Sequence, residues 1–155
     1  MTASNRIERA HMILAETISD PDLQERELLL ARSQAAKDYL LSFNWCRRIE
    51  KLWFAGGFSH VAVFFAEIDS LQYDSELWVI VGDLPPAHLV VDEVPDFKEA
   101  LLTYAYHMRK WVTAVKAQRS TKKCIPVNVE PTRGHALLLE SRLDFIEKEY
   151  VPSLG

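Results

Sequence analysis

Leu77-Trp78-Val79-Ile80-Val81-Gly82-Asp83-Leu84-Pro85-Pro86-Ala87 is the stretch whose reading decides the fold. Five consecutive apolar residues, rich in strand formers, are closed by Gly-Asp and two prolines. That pattern reads as a β-strand ending in a rigid turn. Neither alternation along it is polar, so both faces need cover. His60-Val61-Ala62-Val63-Phe64-Phe65-Ala66 has the same character and forms its neighbour. Residues 70–75 make a short polar connection between the two. Ala87–Val91, after the proline break, supplies a fourth, edge strand. Gly56-Gly57 reads as a turn between Ile49–Ala55 and the His60 strand. Short connections favour an antiparallel meander. The stretch Trp45–Ala55 itself fits a strand or a helix, since Ile49, Leu52 and Trp53 suit either period.

Helical patterns bracket the strands. Ile7, Ala10, Leu14 and Ile18 fall at helical spacing. Ser19-Asp20-Pro21-Asp22 ends that pattern and starts a second helix running to about Leu41, with a cap at Ser19 or Asp20 and Pro21 in the first turn. Its apolar residues trace two adjoining stripes, Leu28, Arg32, Ala35, Tyr39 and Leu29, Ala36, Leu40. On the C-terminal side, Asp96 and Glu99 form a capping-box pair. Leu101, Tyr104, Ala105, Met108, Trp111, Val112 and Val115 then keep one face apolar for over four turns. A polar loop and an extended segment, Cys124–Val129, lead to a last helix capped at Thr132, with Leu139, Leu143, Ile146 and Tyr150 inward. The expectation is a single α+β domain over residues 1–155, an antiparallel sheet of about four strands flanked by N-terminal and C-terminal helix pairs.

Composition agrees with a folded cytosolic protein. At 155 residues, with 48% hydrophobic and 26% charged residues, the chain can bury a core without disulfides or metal. Two isolated cysteines, Cys46 and Cys124, make neither a disulfide framework nor a zinc site. Met1–Arg6 lacks an apolar signal region, and the longest apolar run, Val61–Ala66, is far too short to span a bilayer.

No motif specifies a chemistry. There is no His-x-x-x-His or His-Glu-x-x-His spacing, no nucleophile elbow, and no glycine-rich phosphate loop, so neither metal nor cofactor is expected. Cys46 follows Trp45 and precedes Arg47-Arg48, whose charges could activate the thiol, although a small core thiol is the simpler reading. Asp83 and His88, with Tyr104 and His107 from the long helix, are the residues that could line a small-molecule or catalytic pocket. The plainer reading is that Asp83 and the prolines only shape a turn.

Charge is more informative. Between Val61 and Leu101 a single cation, Lys98, stands against nine acids, whereas Arg109–Lys123 carries six cations and no acid. The acidic region suggests docking of a basic protein through Asp74, Glu76, Asp92, Glu93 and Asp96, with Trp53 as an aromatic anchor. The six cations lack the interleaved aromatics of an RNA-binding sheet, which argues against nucleic acid. The strand–turn stretch Leu77–Ala87, followed by the helix capped at Asp96, resembles a pattern in small, uncharacterised bacterial cytosolic proteins. The resemblance covers about residues 45–115. It implies a stand-alone bacterial domain and transfers no catalytic residue. The reading is therefore a non-enzymatic protein-binding domain, for example an immunity or antitoxin-like protein facing a basic toxin. The alternatives are a small-molecule site at Asp83 and His88, and a structural or regulatory homo-oligomer.

Overall fold

The computed structural model describes residues 7, 9–17, 23–71, 75–92 and 94–154. Its centre is a five-stranded antiparallel meander: β1 (Ile13–Leu14), β2 (Cys46–Phe58), β3 (Val61–Ser70), β4 (Glu76–Gly82) and β5 (Ala87–Val90), lying side by side in chain order. One helix, α1 (Leu23–Leu41), precedes the long strands. Two follow, α2 (Phe97–Lys116) and α3 (Arg133–Phe145), and the latter runs on through a π-helical turn, Ile146–Tyr150, and a last turn, Val151–Ser153.

The two apolar alternations of β3 explain the layering. Val61, Val63 and Phe65, with Trp78, Ile80, Ala87 and Leu89, point into one core against Leu101, Tyr104, Met108 and Trp111 of α2. Leu139, Leu143 and Ile146 back that helix from α3. Ala62, Phe64, Ala66 and Ile68, with Leu77 and Val79, point to the other face, under Ala36 and Leu40 of α1. The sheet is thus covered on both sides, as strands without a polar alternation require. Of the two stripes expected on α1, Ala36 and Leu40 are buried and Leu29 partly so. Ala35 is exposed, and Arg32 and Tyr39 are half-buried and reach polar groups of the sheet.

The caps lie where local chemistry puts them. Asp96 accepts from the Glu99 amide at 2.9 Å, and Thr132 accepts from the His135 amide at 3.2 Å. α2 ends in a Schellman turn: the Arg119 amide bonds the Ala114 carbonyl, the Gln118 amide bonds that of Val115, and Gln118 takes φ 56°. Glycine normally fills that position.

Two expectations need correction, and one reading left open is resolved. The described residues between Ile7 and Thr17 are not helical. Ile13 and Leu14 pair with Phe54 and Trp53 as a fifth strand, followed by a 3₁₀ turn at Ala15–Thr17. A short helix is marginal alone, and the open edge of β2 offers backbone partners instead. The N-terminal helix pair is therefore one helix, and the Ser19–Asp22 boundary lies outside the described residues. Gly56-Gly57 is not a turn: both lie inside β2, opposite Val63 and Ala62, with Gly57 at φ 149° beside a register shift. The reversal falls at Ser59-His60. Trp45–Ala55 is strand from Cys46 onward, held between β1 and β3. In the segment Cys124–Val129, which joins no sheet, Cys124, Ile125 and Val127 pack on the α2 core.

Two stability predictions follow from the backbone. Gly82 has φ 149°, and a Cβ there would lie 2.2 Å from the His60 carbonyl oxygen. Gly82→Ala should destabilise the protein by about 1–3 kcal/mol in urea unfolding, and an unchanged midpoint would refute this account of the β3–β4 end. Gln118→Gly should stabilise by about 1 kcal/mol in the same assay by relieving the left-handed residue, and a loss of stability would show that Gln118 makes a compensating contact.

Candidate functional site

The end of the sheet beside the β2–β3 turn gathers the polar groups of greatest interest. Gly82 lets the chain press onto the start of β3, where the Asp83 amide donates to the His60 carbonyl at 2.8 Å. This places the Asp83 carboxylate against the His60 ring, Oδ2 to Nδ1 3.0 Å. Arg32, reaching across from α1, donates through Nη2 to Asp83 Oδ1 at 3.3 Å and to the Ser59 carbonyl at 3.1 Å. The hydrogen bond from His60, with the charge and hydrogen bond of Arg32, holds the Asp83 carboxyl below the usual range against the opposing effect of burial. A carboxylate only accepts, so Nδ1 of His60 is the donor in this bond.

Arg142 of α3 donates from Nε to the Asp83 carbonyl at 3.3 Å. Its guanidinium separates two adjoining cavities. One, about 290 Å³, lies among Pro85, Pro86, Val129, Leu138 and Leu139, with Asp83 at its rim. The other, about 260 Å³, lies among Phe58, His60, Ser141, Phe145 and Ile146. Leu84 lines both. Leu138 and Phe145 flank this trough with 56% and 46% of their surface exposed. The loop is anchored from beneath by Tyr104, whose buried hydroxyl donates to the Pro85 carbonyl at 2.6 Å. Burial, with a lesser effect of Tyr39, pushes that hydroxyl well above its ordinary value, so it stays a donor.

Asp83, His88, Tyr104 and His107 therefore do not form one pocket. Asp83 and Tyr104 serve the same loop, but His88 faces the opposite side of the sheet. There its Nδ1 lies 2.8 Å from the Tyr39 hydroxyl, inside a ring of Phe43 and Trp45. His107 sits on the outer side of α2 beside Tyr106, its pKa lowered by partial burial and by Lys110. The partners that Asp83 does find, His60, Arg32 and Arg142, carry no sequence motif. His60 alone had a signal: once Val61 is registered against Gly82, the residues just outside that pair must meet.

Part of the acidic region is neutralised from within. Arg9 bonds both Glu67 and Glu76 and lies over the Phe65 ring. Arg47 lies 3.7 Å from Asp69. Asp96 is engaged as a helix cap, leaving Asp92 exposed, whereas Asp74 and Glu93 lie outside the described residues. Trp53 is half-buried and donates its indole N–H to Glu67 at 2.6 Å, so it is no exposed anchor. Trp45 is buried. Burial, together with Asp69, raises the Cys46 thiol, which runs against activation by Arg47-Arg48. Among the described residues no three His, Cys, Asp or Glu side chains converge as metal ligands. No described helix is long and apolar enough to cross a membrane.

His88 gives a pH signature. Burial lowers its pKa below the 6.5 of an open imidazole. As pH falls through 6.5, the unfolded chain takes up the proton more readily than the folded one, so stability drops until the folded pKa is reached. His88→Asn should flatten this drop between about pH 7.5 and about pH 5.5 in urea titrations. Parallel pH profiles for the two proteins would contradict the assignment.

No protein-family model, curated protein or solved structure significantly matches this chain.

Proposed function

We propose that this protein is a non-enzymatic binding domain that takes a segment of another protein into the trough along α3. The partner segment places a carboxylate on Arg142 and an apolar side chain in the cavity on either side. The observation that carries this reading is Arg142, a partly buried residue that lines two cavities with apolar walls and has no acidic partner among the described residues. Arginine in such a position offers a planar fork to a carboxylate, and partial burial strengthens the bond. Exposed Leu138, Phe145 and Val129 supply the apolar contact area that binding surfaces concentrate.

Two observations favour this over the other readings. Of the acids expected to recruit a basic partner, Glu76 is bound by Arg9 and Asp96 is engaged as a helix cap. His60, oriented by Asp83, has the form of a general base, but Ser141 in the same cavity makes no hydrogen bond to it among the described residues. The His60–Asp83 pair is also half-exposed, at 44% and 48% of its side-chain surface, and open water dilutes such chemistry.

A random-peptide display library panned on the wild type and on Arg142→Ala tests the proposal. Peptides selected on the wild type should share an acidic residue or free C-terminus flanked by apolar residues. Their affinity should fall at least about tenfold on Arg142→Ala, as expected for loss of a charge-assisted bond, with circular dichroism unchanged. Recovery of no sequence class, or of peptides that bind Arg142→Ala equally well, would overturn it.

A further inference from the structure

A second cavity, remote from the α3 trough in its lining, has a different chemistry. We propose that the cleft on the outer face of α2 binds a small organic phosphate with a flat aromatic body, of the nucleoside monophosphate class. The proposal is independent of the peptide-binding reading.

The cleft is built by helical spacing. Leu102, Tyr106, Lys110 and Thr113 recur every three or four residues, so they form one stripe along α2. The Schellman turn at Gln118 then reverses the chain, and Arg119-Ser120 return to close the end of the same cavity, of about 520 Å³. That volume falls within the range of small-molecule sites, roughly 300–1,000 Å³. The turn achieves this with a non-glycine residue in the left-handed region, a local cost of the kind that gathers at functional sites.

The charges in the cleft are not balanced. Arg109 is bound by Asp144 at 2.7 Å and by Glu147, so it and the one acid lining the cavity satisfy each other. Lys110 and Arg119 have no acidic partner among the described residues, and both are exposed. Two cations beside the Thr113 and Ser120 hydroxyls suit a phosphate dianion, which accepts several charge-assisted bonds at once. On the same stripe Tyr106 is 59% exposed, with Lys110 Nζ 4.5 Å from its ring centroid, and Leu102 and Ala114 add apolar surface to the cavity. A flat base lying on Tyr106 covers this ring while its phosphate draws Lys110 toward Arg119. Cation, hydroxyl and exposed aromatic ring thus meet in one cavity, and each matches a different part of the same ligand.

The test is isothermal titration of the full chain with AMP, adenosine and inorganic phosphate, at low and moderate salt. AMP should bind, adenosine should bind at least about tenfold more weakly, and salt should weaken AMP. The Lys110→Ala/Arg119→Ala double variant should lose at least about tenfold in AMP affinity with an unchanged melting curve. Arg119→Lys should retain part of the binding, because it keeps the charge and loses the fork. Absence of AMP binding at millimolar concentration, equal affinity for AMP and adenosine, or a double variant that binds AMP like the wild type would each overturn the proposal.

Discussion

Every layer of this protein is built against Val61–Ala66 of β3 and Leu77–Val81 of β4, whose side chains are buried on both faces of the sheet. Such strands cannot lie at a surface, because either face left open would expose a continuous apolar sheet to water. α1 closes one side with small and branched residues, Ala36 and Leu40, so that it sits close to the sheet. α2 closes the other with its bulkier stripe, and Trp78 links the two by donating its indole N–H to the Val94 carbonyl at 2.9 Å, just ahead of the helix cap.

The polar periphery follows from that packing. The sheet ends project charged side chains from closely spaced strands, and the structure answers them with cations brought from distant parts of the chain. Arg9 answers Glu67 and Glu76 at one end, and Arg32 answers Asp83 at the other. Much of the apparent charge segregation along the sequence is thereby folded into local pairs. Partly exposed pairs of this kind contribute little to stability and more to register and orientation.

α3 and its continuation border both groups of cavities. Its ion pairs to α2, Arg109 with Asp144 and Glu147, and Lys116 with Glu140, hold it against that helix. On its far side Leu138, Arg142 and Phe145 are left facing the Pro85–Pro86 loop with cavities between them. The outer face of α2 opens a separate cleft where Lys110 and Arg119 stand without acids.

Features set within one turn of chain were legible without coordinates. The caps at Asp96 and Thr132, the apolar stripe of α2, the doubly apolar strands and the edge strand after Pro86 all rest on neighbours a few residues apart. What the residues alone left open or misplaced depends on partners far along the chain. Ile13 and Leu14 take strand geometry only because β2 offers them a ladder, and Gly56-Gly57 continue a strand only because β3 pairs alongside. The candidate sites belong to the same class. Asp83 was visible as a loop carboxylate, but its meeting with His60, Arg32 and Arg142 joins residues 23, 51 and 59 positions apart. Local sequence therefore determined element type and termini, because hydrogen-bond caps and periodicity act over a single turn. Only the tertiary structure decided which side chains converge, because that depends on register and layer packing between segments that the chain order does not bring together.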